Sequence, residues 1–213
     1  MRALFLALVL LGSCVHAVAA ATRCPSTQSN DQWSAECFES ADGKRRVKPQ
    51  YRKNIVPNKF GKAVIVIDGP FEVLAVDRQG FVVVPDIRTS GDFDYPRAEA
   101  GIGRFFSGGK CGYFRSGSFE VIVPPAYEEC MAFREGSALA CRDCKRYCTA
   151  GSCQDSKFVG GQGFVFDGKG RLKRQFALPE LENACGKVGV AEVSELDGPT
   201  PFLMCNAPPG LEL

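Results

Sequence analysis

Histidine is nearly missing from this 213-residue chain: the single one, His16, lies within its first twenty residues. A protein without imidazole beyond that point cannot run Ser-His-Asp or Cys-His chemistry, nor offer histidine to a metal. Tryptophan is as scarce, with Trp33 alone. No Asn-x-Ser/Thr acceptor occurs, which removes N-glycosylation as an argument for a eukaryotic secreted protein. The one long apolar run, Ala3 to Leu11, is about half of what a membrane-spanning helix requires. Amphipathic helical periodicity is scarce too, because Gly or Pro interrupts the apolar runs throughout.

That apolar run follows a positive start at Arg2 and precedes the small residues Ala17, Ala19, Ala20 and Ala21. This order is that of a secretory signal over residues 1–20, cleaved near Ala20. Within it, Leu11-Gly12-Ser13-Cys14 resembles the lipobox of bacterial lipoproteins, which would acylate Cys14. The residues after Cys14 stay apolar, unlike the polar tether of a lipoprotein. Simple cleavage and lipidation are therefore both carried forward, and the expected location is secreted or periplasmic, of bacterial type. Membrane attachment is expected only through an acylated Cys14.

Eleven cysteines in an exported chain read first as disulfides. Setting Cys14 aside leaves an even number, for which sequence permits roughly 900 pairings. Spacing suggests Cys24 with Cys37, Cys111 with Cys130 across one hairpin, and Cys185 with Cys205. Cys141, Cys144, Cys148 and Cys153 would then pair locally. The same four could be a redox CxxC with two neighbours, or a four-thiolate metal site. A redox pair needs an exposed Cys at a helix N-terminus after a strand, and no such pattern surrounds Cys141. The metal reading lacks a second, distant knuckle.

Charge is almost balanced, with 26 Lys and Arg against 24 Asp and Glu. Its distribution is uneven. Lys44 to Lys62 holds eight basic residues and no acid, whereas Glu180 to the end holds six acids and only Lys187. Two solvated faces are the plain reading; a polyanion patch is the sharper one. Nothing groups these charges like a nucleic-acid motif, so no nucleic acid is expected as partner.

Short runs rich in Val, Ile and Phe predict strands at Ala63–Ile67, Phe71–Val76, Phe81–Val84, Phe119–Val123 and Phe164–Phe166. Asp68-Gly69 and Asp167-Gly168 mark tight turns where positive φ is cheap. Short helices are expected at most near Ala132–Ala140 and Leu178–Ala184. A strand–turn–strand–Pro order recurs along the chain. Its turn glycines Gly80 and Gly117 lie 37 residues apart, and Tyr51 and Tyr127 lie 76 apart. Gly170 follows Gly117 by 53 residues, and the excess coincides with the cysteine-rich stretch.

One unit is complete: Gly109-Lys110-Cys111-Gly112-Tyr113-Phe114, then Val123-Pro124-Pro125-Ala126-Tyr127, then Phe133-Arg134-Glu135-Gly136-Ser137-Ala138. It resembles the WG-repeat family, with degenerate neighbours over about Arg45 to Leu172. The Trp that names the family is replaced by Cys111 here and by Gln162 in the last unit. The resemblance implies a repeat scaffold used for binding, without naming a ligand.

The expected fold is all-β, an array of stacked antiparallel β-hairpin repeats of period about 37 residues, stabilised by disulfides. Residues 21–43 form a disulfide-tied N-terminal segment and 44–176 the repeat domain, with a Cys-rich insertion at 141–158. Residues 177–213 form the C-terminal segment. The expected role is a non-catalytic binding or envelope-structural protein without cofactor or metal, its partner a protein, peptide or envelope polymer. The alternative is a periplasmic thiol-disulfide protein using Cys141 and Cys144. Asp92, Asp94, Glu128 and Glu129 are the carboxylates available for acid–base or calcium chemistry, though loop carboxylate pairs are common and no calcium-loop spacing follows them. Tyr113, Phe114, Tyr127 and Phe133 are expected mostly in the core; an outward stripe of them would suit a glycan or peptide.

Overall fold

Short apolar runs broken by turn residues become strands, and almost nothing else is regular. The computed structural model describes residues 24–25, 32–89, 91–149, 153, 155–186, 189–194 and 200–206. The signal segment and Cys14 lie outside them. A first hairpin, β1 (Phe38–Ala41) and β2 (Lys44–Val47), leads to a three-stranded antiparallel meander of β3 (Lys62–Asp68), β4 (Phe71–Asp77) and β5 (Val82–Val84). A second meander follows: β6 (Ile102–Ser107), β7 (Lys110–Arg115) and β8 (Val121–Tyr127). Next come β9 (Glu129–Cys130), β10 (Ser137–Arg142), β11 (Lys145–Cys148) and β12 (Ser156–Val159), then β13 (Gln162–Asp167), β14 (Leu172–Ala177), β15 (Val190–Ser194) and β16 (Phe202–Asn206). β14-β13-β10-β9 form one sheet and β12-β11-β16-β15 another, the latter with one parallel bridge between β11 and β16. The cysteine-rich insertion and the C-terminal segment thus share a sheet.

Successive sheets bury their faces on each other. Leu74 and Val76 of β4 pack with Trp33, Phe38, Val47 and Ile65, while Val73 and Ala75 of the same strand pack with Phe105 and Phe114. Strand β7 is shared in the same way: Phe114 faces the first meander, and Cys111 and Tyr113 face Phe133, Phe164 and Phe166. A strand buried on both sides has no polar alternation, which is why Phe71–Val76 reads as a near-continuous apolar run. Tyr113, Phe114, Tyr127 and Phe133 are all buried and serve as core.

The glycines Gly80, Gly117 and Gly170 each sit in the turn before a third strand: β4–β5, β7–β8 and β13–β14. Corresponding strands of the first two meanders start 40, 39 and 39 residues apart. Two of these turns are the same to the hydrogen bond. Asp77 Oδ1 accepts from the backbone N–H of Gln79 and Phe81, and Asp167 Oδ1 accepts from Lys169 and Arg171. The N–H of Gly80 and of Gly170 donates back to the carbonyl of its aspartate. In the middle unit Arg115 replaces the aspartate and the turn is one residue longer, closing on Glu120.

Those hydrogen bonds, led by the Arg171 N–H, hold the Asp167 carboxyl down at about 2 against an ordinary 3.8. A depressed carboxylate stabilises the fold above its unfolded value, and that contribution is lost as pH falls toward 2. A carbon NMR titration should place the Asp167 midpoint near 2. A midpoint near 3.8 would show that the turn is not formed in solution.

Four local expectations are corrected. Turns do occur at Gly69 and Gly168, but neither takes a positive φ; Gly69-Pro70 is a cis peptide, and Gly170 carries the left-handed residue of its turn. Residues 132–140 are not helical, because Glu135 and Gly136 (φ 51° and 76°) form a two-residue hairpin turn feeding β10. Within Leu178–Ala184, the only helical residues are one 3-10 turn at Leu181–Asn183. Phe119 lies outside β8 with φ 55°, which folds its ring inward to stack on Phe114 at 5.7 Å. Gly112, the glycine of the WG-like motif, has a plain steric reason. A Cβ there would lie 2.5 Å from the Val123 carbonyl oxygen and 2.9 Å from the Phe105 ring.

The cysteines pair as Cys24–Cys37, Cys111–Cys130, Cys141–Cys144, Cys148–Cys153 and Cys185–Cys205. Five disulfides fit an oxidising, extracellular or periplasmic compartment.

Candidate anion-binding cleft

A cleft of about 810 Å³ opens where the second meander, the β10–β13–β14 face and the insertion sheet meet. Five arginines line it, each delivered by a different piece of chain: Arg88, Arg104, Arg134, Arg146 and Arg174. Met131, Leu139, Val165 and Phe176 supply an apolar lining between them.

Arg104 stands on β6 and is fixed in place. Its Nε and Nη2 donate to the two carboxylate oxygens of Asp94 at 2.8 and 2.5 Å, and its Nη1 donates to the Cys130 carbonyl at 2.8 Å. Asp94 is 1% exposed and the Arg104 side chain 13%. Arg88 is set beside it by backbone pairing. The stretch before it bridges to β6 through Ile87 and Phe105, and the Arg88 N–H donates to the Arg104 carbonyl. Arg134 in the hairpin turn lies 4.3 Å over the Phe93 ring, and Arg174 on β14 lies 4.5 Å over Phe176. Stacking on an aromatic face orients a guanidinium while leaving its N–H edge able to donate. Arg146 on β11 donates from Nε to Ser156 on β12 at 3.1 Å.

The charges here are crowded. Partial burial pulls the Arg146 guanidinium below its ordinary value; Arg104 and Arg88 push the same way and Glu129 opposes them. Burial likewise raises the Glu129 carboxyl, against the field of Arg146, Arg88 and Arg104. Five guanidinium groups face two lining carboxylates, Asp94 and Asp155. Such an excess attracts an anion. Beneath the lining, the buried Tyr113 hydroxyl donates to the carbonyls of Met131 (2.8 Å) and Leu139 (3.3 Å), fixing two cleft-lining segments to β7.

The residues singled out from sequence fall in several places. Asp94 lines the cleft, with both oxygens taken by Arg104; Glu129 lies in the field of its arginines. Glu128 is elsewhere, paired with Lys110, whose hydrogen bond holds its carboxyl low. Asp92 is in the 3-10 turn Gly91–Phe93. Cys141 is fully buried on β10 and bonded to Cys144, with a strand rather than a helix following. Among the described residues no three His, Cys, Asp or Glu side chains gather as a metal site, and no helix is long and apolar enough to cross a membrane. The basic stretch Lys44–Lys62 is not part of the cleft. Arg45 is held by Glu72 and Arg46 by Glu39.

The five arginines carry no signature in the sequence, because they are scattered over residues 88 to 174 with no common spacing. The chain matches no family model, no curated protein and no solved structure, so this cleft is the ground on which a function is read.

Proposed function

We propose that the protein is an exported, non-catalytic binding module whose ligand is anionic and sits in the arginine-lined cleft. The observation that carries this is the convergence of Arg88, Arg104, Arg134, Arg146 and Arg174 on one concave surface. Guanidinium groups are the donors best matched to carboxylate, sulfate or phosphate, and four of these are placed by an aromatic ring or a hydrogen bond before any ligand arrives. Preorganisation of this kind raises affinity by reducing what must be ordered on binding. The cleft volume falls in the range of small-molecule and oligomer sites, about 300–1,000 Å³.

We read the meanders as degenerate WG-like units, supported by the matching Asp77–Gly80 and Asp167–Gly170 turns. Cys111 and Cys130 close the unit whose Trp is absent. The compartment is bacterial and extracytoplasmic, with Cys14 either removed or acylated. Full burial of Cys141 supports a structural role for its disulfide over thiol exchange, since a redox cysteine must be reached by its partner.

Calorimetric titration tests the reading, using a sulfated oligosaccharide, an oligogalacturonate and poly-glutamate as probes. At least one should bind, with affinity falling as salt rises. Arg146→Gln and Arg174→Gln should each weaken it about ten- to hundredfold, the value of one charge-assisted hydrogen bond. Binding indifferent to both substitutions would overturn the assignment.

A further inference from the structure

The basic stretch left over by the cleft has a use of its own. Lys53, Lys59 and Lys62, with Arg78 from the facing turn, make no ion pair among the described residues. Lys59, Lys62 and Arg78 converge with Phe60 around a shallow depression of about 360 Å³. The one acid there, Asp77, already accepts two backbone N–H groups through Oδ1. Two large apolar side chains stand out from the same short loop: Val56 is 83% exposed and Phe60 52%.

The loop is built to hold that arrangement. The Asn58 side-chain oxygen accepts from the N–H of Phe60 (2.8 Å) and of Lys62 (3.2 Å), and its Nδ2 donates to the Gly117 carbonyl at 3.0 Å. The backbone closes twice more, from Asn58 N–H to the Lys62 carbonyl and from Gly61 N–H to Asn58. Arg78 lies against the turn, its Nε 3.1 Å from where a Gly61 Cβ would be. Lys59 Nζ is 5.1 Å from the Phe60 ring centroid. These hydrogen bonds fix the backbone of the turn from which the Phe60 ring stands out, 52% exposed.

We infer that this loop is a contact for an anionic lipid surface, with Phe60 and Val56 entering the headgroup boundary while Lys53, Lys59, Lys62 and Arg78 meet lipid phosphates. Exposed apolar side chains beside cations that make no ion pair among the described residues are the pattern that peripheral membrane segments use. A folded protein partner would need about 800 Å² of complementary surface, far more than one turn with two apolar side chains supplies. The contact requires no acyl chain, so it gives the exported protein a membrane affinity independent of Cys14. It also lies apart from the arginine cleft, and its residues line none of it.

The test is co-sedimentation of the exported protein, carrying Cys14→Ser, with vesicles of phosphatidylcholine alone or mixed with phosphatidylglycerol. Binding is expected on the mixed vesicles only and should fall as salt rises. Each Lys or Arg at an anionic surface multiplies affinity about fivefold, so the pair Lys59→Glu and Lys62→Glu should reduce it at least tenfold. Phe60→Ser should weaken it several-fold with the melting temperature unchanged, and Lys173→Glu on β14 should leave it unaltered. Equal binding to neutral vesicles, full retention by the Lys59/Lys62 double variant, equal loss with Lys173→Glu, or no vesicle binding at all would overturn the proposal. Capture of an envelope protein through this loop without vesicle binding would do the same.

Discussion

Replacing Arg104 by alanine should cost about 3–5 kcal/mol of folding stability, read from urea unfolding. Asp94 would keep its burial and lose both guanidinium hydrogen bonds, and the Cys130 carbonyl would lose its donor. Removing one member of a buried pair is costly because the remaining charge stays where water cannot reach it. The pair itself contributes far less than that. Asp94→Leu combined with Arg104→Met should therefore recover most of the loss, because two apolar side chains of similar size avoid the desolvation altogether. Arg104→Lys should fall between, since an ammonium cannot span both carboxylate oxygens and the carbonyl at once. A single-variant loss below about 1 kcal/mol would mean that the pair is solvated in solution. The apolar double variant also separates stability from function. It should fold with the positive excess of the cleft unchanged, because Asp94 leaves together with Arg104, so any weakening of anionic-probe binding reports direct contact with the Arg104 guanidinium.

How far the sequence foretold this depends on the range of the interaction. Strands were legible where a run of Val, Ile or Phe was bounded by Gly or Asp, as at β3, β4 and β13. The likeness of the Gly80 and Gly170 turns was legible too, because each is made entirely by near neighbours, whereas Gly117 shares only the place of its turn, whose left-handed residue is Phe119. What misled was local ambiguity: Ala132 to Ala140 carries residues that suit a helix, and the Glu135-Gly136 turn with the pairing of β10 to β13 decided otherwise. Phe119 reads as strand, but its positive φ lets the ring join Phe114, a contact outweighing backbone preference.

The cleft was not legible at all. Its arginines come from a bridging loop, three strands and a hairpin turn, and only the stacking of sheets brings them together. Asp94 was visible as a loop carboxylate and Glu129 as one of a pair; their tie to arginine was not. The conspicuous charge feature, Lys44 to Lys62, divides in the structure. Arg45 and Arg46 are neutralised by Glu72 and Glu39, and the lysines around Phe60 make no ion pair among the described residues. A run of one sign in sequence says little until its partners are known.

Loss of the Cys111–Cys130 disulfide, as the double serine variant, should destabilise the chain by about 3 kcal/mol in the chain-entropy account of a closed loop of this size. The two cysteines are 19 residues apart, join β7 to β9, and are both buried. Serine at either site would also place a hydroxyl among Tyr113, Phe133 and Phe164, so alanine at both is the cleaner variant. A local consequence should accompany the global one. Cys130 supplies the carbonyl that accepts from Arg104, and the β9 register sets Glu129 beside Cys141. Freed from β7, that segment should loosen first, and amide exchange at residues 129–131 should accelerate more than exchange in β3 or β4. Anion binding should weaken in step, because the Arg104 anchor and the Met131 lining lie on the loosened side. On the proposed WG-like reading, Cys111 stands where the motif carries its Trp, so Cys111→Trp with Cys130→Gly gives the sharper experiment. If buried aromatic area can replace the crosslink, that variant should regain a measurable part of the stability lost by the double alanine. A variant no more stable than the double alanine would show that Cys111 does not occupy an equivalent of the Trp position.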